Sequence, residues 1–124
     1  MDYKDTLAWL KSYRNLYDKF TYLNNRIQSI KSITYDDNGG AGLPRSITDL
    51  IDEKTKVVEH MEEIEDAIDG IENQTYSTVL AYRFLMFYSL DKTGETMSYS
   101  LQQIYRLQQK AVESLFMIIN DKEC

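Results

Sequence analysis

The 124-residue chain holds one cysteine, one proline, one histidine and five glycines. Cys124 is the last residue and has no partner for an internal disulfide, which fits a reducing compartment. One histidine falls short of the usual zinc sets, which draw on several His and Cys side chains. It also leaves a serine nucleophile with a single candidate base, His60, far along the sequence from Ser98 and Ser100. No apolar run reaches the ~18 residues that a bilayer-spanning helix needs. The opening MDYKDTLAWLKSYR is mixed and charged, without an apolar signal core. These scarcities argue against an enzyme, a metal site, a cofactor, a small-molecule substrate and a membrane partner. No catalytic residue is expected, and the expected setting is cytoplasmic.

What is present points to helices. Leu7, Leu10, Tyr13, Tyr17, Phe20, Leu23, Ile27 and Ile30 recur at threes and fours, with no Gly or Pro between them. That predicts one helix over about 5–33, roughly 43 Å long, which needs a partner of similar length. Residues 34–45 hold three glycines and the proline and read as a loop. They follow no strand and lack the Gly-Lys-Ser/Thr ending of a phosphate-cradling loop. Ser46 then begins a second helix, with Asp49 as a partial capping box. Over about 46–71, Leu50, Val57, Met61, Ile64 and Ile68 continue the alternating three-four spacing of Ile47 as a seam, with Lys54 in it. That seam joins either the first helix, as an antiparallel hairpin over 1–72, or a second protomer. Gly70 is expected to weaken the helix end.

Glu72 to Thr75 marks a break, and 73–124 reads as a second domain. Tyr76 to Phe87 is apolar on most sides and suits a central helix. Asp91 to Met97 is a short helix of poor propensity, since Thr93, Gly94 and Thr96 disfavour it. Ser100 is a good N-cap for a long last helix. Its predicted core face is Leu101, Ile104, Tyr105, Leu107 and Ala111. The opposite face carries Gln102, Gln103, Arg106, Gln109 and Lys110, long side chains able to bond base edges or phosphates. Two helices joined by a short turn, the second with such a face, make the helix-turn-helix plan. The apolar tail from Leu115 to Ile119 is expected to pack back on the chain or on another protomer.

The segment Tyr82 to Val112 resembles the C-terminal helix-turn-helix of the ArpU-like phage transcriptional regulators, itself similar to the promoter-reading last domain of sigma factors. The residues that carry the resemblance are Tyr82-Arg83, Ser89, Glu95, Met97, Tyr99-Ser100, Gln103 to Leu107 and Lys110-Ala111, with Gly42-Leu43-Pro44-Arg45 and Asp49 earlier. The chain departs from the pattern at Thr93-Gly94, where the family has Ile-Ala, and at Ser98, where it has Gly. Leu90 and Gln108 stand where Trp and His are common. The resemblance implies a phage or prophage regulator in the host cytoplasm that binds double-stranded promoter DNA, with host RNA polymerase as a further partner. The DNA-binding residues are then Tyr99, Ser100, Gln102, Gln103, Arg106, Gln109 and Lys110, and a homodimer is expected. The fold class is all-α: a long helical hairpin followed by a helix-turn-helix bundle.

Charge supports a second reading. The formal net charge is −6, the wrong sign for binding nucleic acid through bulk charge. Residues 46–72 carry two Lys/Arg against ten Asp/Glu, net −8, and residues 73–124 carry five of each. A rod of carboxylates can occupy a basic surface on another protein. The alternative is therefore an acidic phage protein that binds and inhibits a host nucleic-acid-handling protein without touching DNA. His60 and Glu63, one turn apart in this rod, are read as part of a solvated acidic face. Among the ten tyrosines, Tyr13, Tyr17, Tyr82 and Tyr105 fall on apolar stripes and are expected in the core. Tyr99, in the turn, is the one placed to touch the DNA backbone.

Overall fold

The structure, a computed structural model, describes residues 2–36 and 45–123, with side chains over 2–31 and 47–121. All elements among the described residues are helical: α1 (Tyr3–Asp36), α2 (Arg45–Asp69), α3 (Gln74–Leu80), a π-helical turn (Ala81–Leu85), α4 (Leu90–Met97) and α5 (Leu101–Glu123). No helix among them is long and apolar enough to cross a membrane. Most of the loop expected at 34–45, with its Gly42-Leu43-Pro44 match, lies outside the described residues, as does the side chain of Ser46. The chain divides into two compact units, residues 15–62 and residues 1–14 with 63–124.

In residues 15–62, Leu23, Ile27, Ile47, Leu50, Val57 and Met61 are buried. Lys19 Nζ meets Glu53 Oε1 at 2.8 Å, and the Lys54 ammonium lies 5.4 Å from the Phe20 ring centroid. Lys54 thus stays in the seam by laying its stem on apolar surface with its charge over a ring. The bond and charge of Lys19 hold the Glu53 carboxyl below its usual range. This contribution is present above the unfolded carboxyl pKa and lost as pH falls through the lower folded value. Both partners are half exposed, so Glu53→Gln should lower an unfolding midpoint only slightly at neutral pH, the difference disappearing in acid or high salt. Tyr17, expected in the core, is 44% exposed. It sits at the edge of the stripe, where part of the side chain faces solvent.

In the other unit, Leu10, Tyr13, Ile64, Ile68, Ile71, Val79, Leu80, Phe84, Ile104, Ala111, Val112 and Leu115 are buried. The central layer is α3 against α5, with α4 also packed on α5. Helix ends are capped by short polar side chains, as the orphan N–H groups of a first turn require. Asp2 Oδ1 accepts from the Asp5 N–H at 2.8 Å, and so α1 starts at Tyr3 rather than near residue 5. Asn73 Oδ1 accepts from the N–H groups of Thr75 and Tyr76 at 3.0 and 3.2 Å, starting α3. The Ser77 hydroxyl donates to the Ile68 carbonyl at 3.0 Å, tying α3 to the end of α2. Gly70 does not weaken the last turn of α2 from within; the helix ends at Asp69, just before it.

The expected helix over Tyr76–Phe87 is shorter and wider at its end. Regular α-helix stops at Leu80, and the Met86 N–H reaches back to the Ala81 carbonyl at 2.9 Å, a π spacing. Phe87 then takes φ +62°, strained for a bulky residue. Packing holds it there: its ring lies 6.0 Å from that of Tyr13, with the Arg14 guanidinium 4.4 Å from its centroid.

Candidate nucleic-acid interface

Ser89 caps α4, its hydroxyl accepting from the Lys92 N–H at 3.0 Å, so that the helix begins at Leu90, one residue ahead of the expected start at Asp91. The poor helix formers are accommodated individually. Thr93 is fully buried, and its hydroxyl donates to the Ser89 carbonyl at 2.8 Å. The Thr96 hydroxyl donates to the Lys92 carbonyl at 2.7 Å. Gly94 is buried where α4 approaches the turn: a Cβ there would stand 2.8 Å from the Tyr99 carbonyl oxygen and 3.6 Å from Ile104 Cγ1. The Tyr99 N–H donates to the Gly94 carbonyl at 2.9 Å, closing the helix.

Ser98 ends α4 in the left-handed region, φ +63° and ψ +41°. For a residue with a Cβ that conformation costs about 1–2 kcal/mol, part of which a glycine returns to the unfolded chain as entropy. Ser98→Gly should therefore raise stability by roughly 0.5–1 kcal/mol in denaturant unfolding. A loss instead would mean that the serine side chain holds the turn.

Ser100 and Gln103 form a reciprocal capping box. The Gln103 N–H donates to Ser100 Oγ at 3.2 Å, and the Ser100 N–H donates to Gln103 Oε1 at 2.8 Å. Gln103 is therefore exposed, but its carbonyl oxygen is already engaged. Gln102, Arg106, Gln109 and Lys110 are exposed together on one side of α5, and Tyr99 is 38% exposed in the turn. Ile104 and Ala111 lie in the core as the spacing predicts, and Leu107 is half buried. Leu101 and Tyr105 are not core residues: they are 51% and 52% exposed. Spacing by threes and fours admits two adjacent rows, and contact with α3 and α4 selects the row of Ile104, Ala111 and Leu115. Leu101 and Tyr105 instead line a shallow groove with Leu90, Gln102 and Arg106.

The Tyr3 phenol is raised above its usual range, first by burial and then by the charges of Glu113 and Tyr105. Behind the face, Arg83 ties α5 to the chain before α4. Its Nε donates to Gln108 Oε1 at 2.7 Å and its terminal nitrogen to the Tyr88 carbonyl at 2.6 Å. Burial pulls its pKa down. The Tyr82 and Tyr88 rings stack at 5.1 Å, with the Lys92 ammonium 4.1 Å from the Tyr88 centroid. Tyr82 is thus half buried in a stack rather than enclosed in the core. Arg83→Met should cost about 1–2 kcal/mol, because the Tyr88 carbonyl loses its charged donor. A cycle with Gln108→Ala separates the two bonds.

Among the described residues no group of three or more His, Cys, Asp and Glu side chains is placed to hold a metal ion. Of the apolar tail, Leu115 is buried, Phe116, Ile118 and Ile119 are half buried, and Met117 is 61% exposed. No family model, curated protein or solved structure matches the chain.

Proposed function

We propose that this chain is a phage or prophage regulator of the ArpU-like kind, with α1 and α2 as a hairpin and with α4, the turn at 98–100 and α5 as a helix-turn-helix that reads promoter DNA. The observation that carries the reading is a local charge contrast on an exposed face. Residues 96–112 hold Arg106 and Lys110 and no carboxylate, in a chain whose net charge is −6. On that stretch Gln102, Arg106, Gln109 and Lys110 are exposed side by side. A capped N-terminus and its partial positive charge favour a phosphate nearby. The glutamines and the arginine are side chains that bond purine edges in the major groove.

One such face reaches few phosphates, so the working form is a homodimer on a two-fold site, with host RNA polymerase as the later partner. The test is selection of bound fragments from a random duplex pool at moderate salt. An enriched two-fold motif is the expected result; a pool that stays random overturns the reading.

The rival is favoured by a different observation. Asp49, Asp52, Glu53, Glu59, Glu62, Glu63, Asp66 and Asp69 are all exposed along α2. A surface of that kind suits a basic face of a nucleic-acid-handling protein. A random pool after selection, together with salt-sensitive binding to such a protein, would establish it.

A further inference from the structure

We infer that the groove beside the polar row of α5 reads thymine, with Leu101 and Tyr105 as the side chains that meet the thymine 5-methyl groups. The inference rests on the DNA-binding reading above and adds to it a base class and two residues that the helix-turn-helix plan had placed in the core.

Leu101 and Tyr105 are each about half exposed, at 51% and 52%. Single exposed apolar side chains are ordinary, but these two share one groove with Leu90, Gln102 and Arg106. The apolar row therefore runs beside the row of base-bonding side chains rather than elsewhere on the surface. Both rows step by four residues, Leu101 to Tyr105 and Gln102 to Arg106. That step advances roughly 6 Å along the helix, close to two base-pair rises of roughly 3.4 Å.

Major-groove chemistry matches the two rows. Glutamine pairs bidentately with adenine, arginine with guanine, and an apolar side chain fits the thymine methyl, which only the major groove displays. The apolar row lying directly beside base-bonding side chains argues for a duplex as the occupant, and Arg106 and Lys110 add the positive charge that its phosphates require. The groove carries Arg106 and has Lys110 one turn on; four of its lining residues lie in the carboxylate-free stretch 96–112, and the fifth, Leu90, adjoins Asp91. The site expected is one in which thymines flank the bonded adenine and guanine.

The experiment uses the full chain and the duplex enriched from the random pool. Each thymine is replaced in turn by deoxyuridine, which keeps the Watson–Crick edge and loses only the methyl. Wild-type protein should bind about three- to fourfold more weakly for each touched methyl removed, the factor expected for one buried methyl-sized group. Leu101→Ala and Tyr105→Ala should weaken binding to the thymine duplex and become indifferent to the deoxyuridine swap at their own positions. The swap alters the DNA and not the protein, so a folding defect in either variant cannot imitate the wild-type result. Enrichment of a motif whose binding no deoxyuridine changes overturns the inference and leaves DNA reading intact. A pool that stays random removes both. If Leu101→Ala converts a dimer to a monomer by light scattering while thymine and deoxyuridine duplexes bind alike, the groove belongs to a second copy and the inference falls.

Discussion

Gly94→Ala should destabilise the protein by about 1–2 kcal/mol, although alanine is the better helix former. Propensity alone favours the substitution by up to about 1 kcal/mol. Against it stands the turn: the new Cβ would lie 2.8 Å from the Tyr99 carbonyl oxygen, closer than such atoms come. That oxygen belongs to the backbone, on the strand of chain pinned by the bond from the Tyr99 N–H to the Gly94 carbonyl at 2.9 Å. It cannot swing aside as a side chain would, so the turn and the first residues of α5 must shift. Forced overpacking of this kind costs about 1–3 kcal/mol, more than propensity returns. Denaturant unfolding measures the net sign, and an increase in stability would mean that α4 and the turn stand farther apart than described. The same shift should weaken duplex binding, because Ser100 and the capping box that orient α5 follow Tyr99 directly.

Gly94 and Ser98, two of the positions at which the chain departs from the pattern it resembles, belong together in this light. The chain has glycine at 94, inside α4, and a residue with a side chain at 98, where the left-handed turn favours glycine. With Gly94 the turn can lie close against α4, and that closeness holds Ser98 at φ +63°. Gly94→Ala and Ser98→Gly should therefore couple. The double variant should recover part of the loss, since glycine at 98 lets the turn move away at smaller cost. Simple additivity would show that the two positions act separately.

Helix type and periodicity were readable from the residues because apolar stripes with few glycines and prolines leave little choice but helix. The break before the last three helices was readable only in part: it was expected at Glu72 to Thr75, whereas Asn73 caps a helix that already begins at Gln74. What could not be read was which of two adjacent rows faces inward. Leu101 and Tyr105 satisfy the spacing of the core row as well as Ile104 does, and only packing against α3 and α4 excludes them. Tyr17 fails for the same reason at the edge of the α1 stripe. The π turn and the positive φ of Phe87 leave no local signal. They arise because the Tyr13 ring and the Arg14 guanidinium at Phe87, and the Arg83 bond to Gln108, hold the chain from a distance in sequence. The exposed polar row was legible, because Gln, Arg and Lys at successive turns have no apolar role to compete with. Ser89 as the α4 cap was missed, although a serine three residues ahead of Lys92 is the ordinary sign of a helix start.

Arg106→Ala should weaken binding to the selected duplex by about 1–3 kcal/mol and relax the preference at one base position. Arg106 is exposed and shares its groove with Leu101, Gln102 and Tyr105, an arrangement that, on the proposed reading, lets its fork approach a guanine edge. Its loss should leave the fold intact, since none of the caps that set α4 and α5 passes through it. Lys110, one turn farther along the helix, is a point charge suited to a phosphate. Lys110→Ala should weaken all sequences by a similar factor and reduce the salt dependence of log affinity by about 0.9 per log unit of salt for each phosphate that the variant no longer neutralises. The two variants therefore separate reading from anchoring: the first changes which sequence wins, the second how strongly any sequence holds at a given salt. Titrations of both against selected and scrambled duplexes at several salt concentrations provide the check. Equal weakening on selected and scrambled DNA for Arg106→Ala would demote it to an anchor. Wild-type retention by both variants would leave α5 without a role in DNA binding.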